Sequence, residues 1–139
     1  MSFVLDDSVT MRWFFEDGSP QDLAYADTIL AALEDQGAIV PVTWGLEVAN
    51  VLSRAEAKSV VKAVRTDAFT KMLESLNIQL DTATFEHSLS GTLRLARKYK
   101  LSSYDASYIE LAIRLNIPLA TLDEDLQKAS KKAGVKKFA

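Results

Sequence analysis

Apolar residues follow two alternating rhythms along this chain. Short apolar runs at Phe3–Asp6, Ala38–Pro41, Asn77–Leu80 and Ile117–Leu122 have the length and composition of buried strands. Between them lie segments with helical spacing: Ser8–Asp17, Gln21–Gln36, Thr43–Ala57, Val60–Leu76, Thr84–Lys98, Ser103–Leu115 and Leu126–Ala133. Leu23, Ala26, Ile29, Leu30 and Leu33 mark the second of these, and Gly37 stops it. Val60, Val64, Ala68, Met72 and Leu76 form a stripe read as core. Val135–Phe138 is a candidate fifth strand. Strands this short and apolar, separated by amphipathic helices, predict an α/β fold whose parallel sheet is covered on both faces. Such sheets place their chemistry beyond the carboxyl ends of the strands.

Composition narrows the classes. At 139 residues with no repeat and no Pro/Gly-rich linker, the chain reads as a single domain over 1–139. It has no cysteine, which excludes a disulfide framework and a thiolate metal site. The opening residues lack a basic start followed by an apolar stretch, and no apolar run approaches the ~20 residues of a membrane span. A cytoplasmic, membrane-free protein is the expectation. The net charge of −3 conceals an asymmetry: residues 1–50 hold nine acids and one base, Arg12, whereas from Arg94 onward ten bases face five acids. A local basic patch beside an acidic pocket is compatible with that split.

The candidate chemistry lies in the carboxylates. Asp6 ends the first strand, Glu47 sits early in the helix after the second, Asp105 lies in the first turn of the helix after Leu101, and Asp123 ends the fourth strand, with Asp125 two residues on. Each has an ordinary alternative as a helix cap, a dipole partner or a solvated side chain. Together, four distant segments bring acids to one sheet edge. Glu47, Asn50 and Arg54 share a polar stripe starting there. Like charges at ~4 Å repel by about 4 kcal/mol at an effective dielectric near 20, so convergent carboxylates need protons or a cation. An oxygen-only donor set selects a hard ion, Mg²⁺ or Mn²⁺, over zinc.

These segments resemble a known family. Phe-Val-Leu-Asp6-Asp-Ser8 resembles the opening motif of PIN domains, Glu47-Val-Ala-Asn50-Val-Leu the second, Leu101-Ser-Ser-Tyr-Asp105-Ala-Ser-Tyr-Ile-Glu-Leu-Ala the third, and Thr121-Leu-Asp123-Glu-Asp125-Leu the fourth. The match spans nearly the whole chain in order, and is nearest to the VapC-like toxins of prokaryotic toxin–antitoxin pairs. The resemblance implies a PIN-like three-layer α/β/α sandwich with a short-stranded, mainly parallel sheet. It implies Mg²⁺-dependent hydrolysis of RNA leaving 5′-phosphate and 3′-hydroxyl ends. Asp6 and Asp105 would be the principal metal ligands, and Glu47 and Asp123 would complete the pocket. Asp125 competes with Asp123 for the fourth-motif role. Ser8, Asn50 and Thr121 would hold carboxylates by hydrogen bonds. Asp7 stands where a small or neutral residue is commoner, leaving open whether it joins the pocket or turns away.

Basic residues are needed to attract RNA to an acidic site. Arg54, Lys58, Lys62 and Arg65 along consecutive helical turns, and Arg94, Arg97, Lys98 and Lys100 before the third motif, are the candidates for phosphate contacts. Analogy with the VapC-like proteins adds a homodimer and a small antitoxin partner. His87, the only histidine, has no second ligand nearby in sequence. Trp13, Phe14 and Phe15 read as core or partner surface. Two rivals are a phospho-receiver domain, which would leave Glu47 and Asp105 unexplained, and a catalytically silent PIN scaffold. A haloacid-dehalogenase-type phosphatase would need Asp-x-Asp after the first strand, which Asp6-Asp7-Ser8 does not supply.

Overall fold

The computed structural model describes residues 2–139. Strands β1 (Ser2–Leu5), β2 (Gly37–Val40), β3 (Ile78–Leu80) and β4 (Leu119–Ala120) form one sheet in the order β3-β2-β1-β4. Every pairing is parallel. Period-two alternation sorts β1 between two layers. Phe3 and Leu5 pack with Val9 of α1 (Asp7–Phe15) and with Ala26, Ile29 and Leu33 in and after α2 (Pro20–Ala32). Val4 faces the other way, onto Tyr108, Ile109 and Leu111 of α7 (Ser103–Leu115) and Leu126 of α8 (Glu124–Lys132). The sheet is therefore covered on both faces, as its unbroken apolar strands require. A third cluster is purely helical: Met11 and Phe14 of α1 meet Val48 and Leu52 of α3 (Val42–Ala57) and Phe69 and Leu73 of α4 (Ala63–Ser75).

Three expectations change. The segment over 84–98 is not one regular helix: α5 (Thr84–His87) passes through a π-helical turn at Ser88–Thr92 into α6 (Leu93–Tyr99). Val135–Phe138 contributes a single bridge, Leu119 to Lys137, rather than a strand. The stripe in α4 is not the core face. Val60 and Val64 are 64% and 74% exposed, whereas Val61, Phe69 and Leu73 are buried. A four-residue repeat on a 3.6-residue helix drifts by about 40° per step, so a stripe facing solvent at Val64 reaches the core margin only at Met72 and Leu76.

The helix starts decide which carboxylates are used as caps. Ser19 caps α2 through the Asp22 amide, and Ser102 caps α7 through the Asp105 amide. Asp123 caps α8, with Oδ1 accepting from the Leu126 amide at 2.8 Å. Asp6 occupies the cap position of α1 but its side chain caps nothing.

Candidate active site

Parallel pairing carries the end of β1 to the end of β4, and the Asp6 amide donates to the Ala120 carbonyl at 3.0 Å. Asp6 then lies under the loop that follows β4, only 2% exposed. Its Oδ2 accepts from the Ser8 and Thr121 hydroxyls, each at 2.6 Å. Those hydroxyls in turn accept from the amides of Leu122 and Asp123. Each hydroxyl has one proton, and both protons go to the same carboxylate oxygen. Asp6 Oδ1 is left buried with no donor of its own; the neighbouring Asp7 carboxyl can bond it only if the two acids share a proton.

Burial, the adjacent Asp7 carboxyl and its negative charge push Asp6 up to about 7, against the opposing hydroxyl bonds. Asp7 is raised by burial and by the charges of Glu47 and Asp105, so it faces the same pocket rather than turning away. Burial and the charges of Asp6 and Asp105 raise Glu47 to about 7, while its bond from Tyr108 works in the opposite direction. Asp105 rises to about 6 through burial and the charges of Asp6, Asp123 and Asp125. The four sequence segments thus meet in one electrostatically coupled pocket. Asp105 is capped through its backbone, and its carboxylate makes no hydrogen bond among the described residues.

A divalent cation fits this donor set by chemistry. The side chains offer only oxygen, four of them are raised above the usual carboxylate range, and Asp6 Oδ1 lacks the positive partner a buried carboxylate requires. As they stand, no group of three or more His, Cys, Asp or Glu side chains among the described residues is arranged to hold a metal. The carboxylates are close enough for their charges to act on one another.

A family model for the PIN domain matches residues 3–132. The chain belongs to the PIN-domain family. Two solved structures share its fold. A protein from Pyrobaculum aerophilum, PAE2754, superimposes with a TM-score of 0.67 at 23% identity, covering 99% of this chain and 83% of that one. FitAcB from Neisseria gonorrhoeae superimposes with a TM-score of 0.59 at 17% identity, covering 100% and 97% respectively. At these identities the likeness speaks to fold alone. No curated protein matches by sequence.

Within this PIN domain, Tyr108 is the pocket residue that sequence reading missed. Fully buried, it donates its hydroxyl to Glu47 Oε1 at 2.6 Å. Burial and the surrounding acids raise the phenol, keeping it a neutral donor. It stands three residues after Asp105 on α7, where the helical repeat returns to nearly the same face. That spacing was the available signal. At the preceding residue, the Ser107 and Thr43 hydroxyls approach at 3.0 Å, tying α7 to the start of α3.

Other candidates lie elsewhere. Asn50 is exposed and bonds no carboxylate among the described residues, because its position on α3 is rotated past the inward-facing Glu47. Arg65 is exposed but engaged by Phe14, donating to its carbonyl and lying 4.4 Å over its ring. Arg54, Lys58, Arg94 and Arg97 are exposed, and Arg94 lines a cavity with His87 and Arg114 away from the carboxylates. Asp81, directly after β3, accepts a bidentate pair from Arg114 and a bond from Thr84. Arg114 also grips Glu110.

Proposed function

We propose that this PIN domain is a Mg²⁺-dependent endoribonuclease, the toxin of a toxin–antitoxin pair, with Mn²⁺ able to replace Mg²⁺. The observation that carries the catalytic reading is the buried, partnerless Asp6 Oδ1 at the centre of acids drawn from four segments. PIN domains are generally nucleases, and a silent scaffold has no use for a pocket that resists deprotonation of its own carboxylates. Bound there, a divalent cation supplies Lewis-acid polarisation of a phosphodiester and a lowered pKa for water.

The chain's own groups have separable tasks in this reading. Asp6 and Asp105 are the principal ligands, and Glu47, Asp123 and the less committed Asp125 complete the acidic wall. Ser8 and Thr121 lock the Asp6 rotamer by giving both of their protons to Oδ2. Tyr108 orients Glu47, leaving one of its oxygens free to accept a proton or hold a water. Asp123 spends Oδ1 on capping α8, so only Oδ2 is available to the pocket.

The toxin assignment, a cytoplasmic location, a homodimer and a small antitoxin partner rest on the four-motif resemblance. Among the described residues, no helix is long and apolar enough to cross a membrane. The test is cleavage of total RNA by purified protein with Mg²⁺, with chelator, and with Asp6→Asn or Asp105→Asn. Cleavage lost in the last three conditions is the expected result. Full activity in either variant refutes the ligand assignment, and chelator-resistant cleavage refutes the metal dependence.

A further inference from the structure

Beside the acidic pocket lies a cleft of about 540 Å³ between the end of α6 and the outer face of α8. Lys98, Lys100, Lys128 and Lys132 line it, with Asp125 as its one acid. None of the four lysines forms a salt bridge among the described residues. A protein with net charge −3 has therefore gathered four ammonium groups against one carboxylate around a single concavity. Asp125 borders both features: it lines the cleft, and its charge acts on Asp105.

Lys100 joins the cleft from the end of α6. It ends α6 in the left-handed conformation, φ 55°, where glycine is the low-cost residue. Glu16 and Asn116 end α1 and α7 in the same way, so what distinguishes Lys100 is that its ammonium lines the cleft. Tyr99 also lines the cleft, and the Lys98 ammonium sits 5.5 Å from its ring centroid.

We propose that this cleft binds the phosphodiester backbone of the RNA strand flanking the bond presented to the carboxylate pocket, without regard to base sequence. The inference rests on the nuclease reading for its substrate. It adds Lys128 and Lys132, on α8, to a path that starts at Asp105 and leads away past Asp125. A polyanion relieves the mutual repulsion of the four ammonium groups, and a run of phosphates entering beside Asp105 is the polyanion that the neighbouring site selects.

The experiment is fluorescence anisotropy with a labelled single-stranded RNA oligonucleotide in chelator, which separates binding from cleavage. Removing three phosphate contacts reduces the slope of log affinity against log salt by about 2 and weakens binding on the order of 100-fold at 0.1 M salt. The triple variant Lys98→Gln, Lys128→Gln, Lys132→Gln is expected to show both effects. A control with equal charge loss, Lys71→Gln, Lys136→Gln, Lys137→Gln, is expected to show neither. Equal losses in the two triples, or none in the first, overturn the proposal. Equal affinity of the wild type for polyglutamate of matched length overturns the choice of nucleic acid. Lys100→Gly is expected to weaken RNA binding while leaving the melting temperature unchanged or raised; unchanged binding excludes Lys100 from the cleft's function. Loss of RNA cleavage is scored separately with Asp6→Asn, so a failed nuclease reading is distinguishable from a failed cleft.

Discussion

Replacing Asp6 by Asn should stabilise the metal-free protein while abolishing its activity. Asp6 is held at about 7 instead of its ordinary value near 3.8. Between those values the unfolded chain has released this proton and the folded chain keeps it, so stability falls as pH rises through the window. Below about pH 4 the penalty is absent. Above pH 7 it is complete, on the order of 4 kcal/mol at 1.36 kcal/mol per pH unit. Asparagine keeps an acceptor for Ser8 and Thr121 and offers an amide towards Asp7 where the wild type has an unpartnered oxygen. For a chain of this size 4 kcal/mol corresponds to roughly 10 °C in Tm. The assay is thermal unfolding of wild type and Asp6→Asn in chelator across pH 4–8. The two should melt together near pH 4, and the variant should lead by up to that margin at pH 8. Added Mg²⁺ should close the gap by raising the wild type alone. A variant less stable at pH 8, or a gap independent of pH, refutes the reasoning.

Further expectations concern the groups around Asp6 and the scaffold behind it. Tyr108→Phe removes the bond that lowers Glu47, so the acidic limb of the kcat profile should move to higher pH, with kcat down about tenfold at neutrality; an unchanged profile contradicts the positioning role. Thr121→Val removes one of two donors to Asp6 Oδ2 and should weaken Mg²⁺ binding about 10- to 100-fold by calorimetry. Arg114→Ala strands the Asp81 and Glu110 carboxylates and should cost about 3 kcal/mol in urea unfolding, while activity per folded molecule stays within twofold.

Much of this arrangement was legible in the residues, for a physical reason. Buried parallel strands carry unbroken apolar runs, so an acid directly after one, such as Asp6, stands out. The shared electrostatics of Asp6, Glu47 and Asp105 then follow from the strand ends lying side by side. Single features of local chemistry were harder to apportion. Asp123 caps a helix, Asp6 in the same kind of position does not, and the difference lies in Ser8 and Thr121, one of them 115 residues away. Tyr108 was hidden among the core residues of α7, since its partner Glu47 comes from a different helix. The α4 stripe misled because near-repeats of four residues drift around a helix, and only packing fixes their phase. The basic cleft was half visible: Lys98 and Lys100 stood out before the third motif, but their pairing with Lys128 and Lys132 depends on how α6 and α8 lie together.

Manganese titration at pH 6, below the values of Asp6 and Glu47, followed by electron paramagnetic resonance with parallel measurement of released protons, addresses the pocket itself. Saturable Mn²⁺ binding that expels protons from the raised carboxylates, and that disappears in Asp6→Asn and Asp105→Asn, is the result expected. Binding that survives both substitutions, or that releases no protons, would contradict a divalent-ion site formed by these acids.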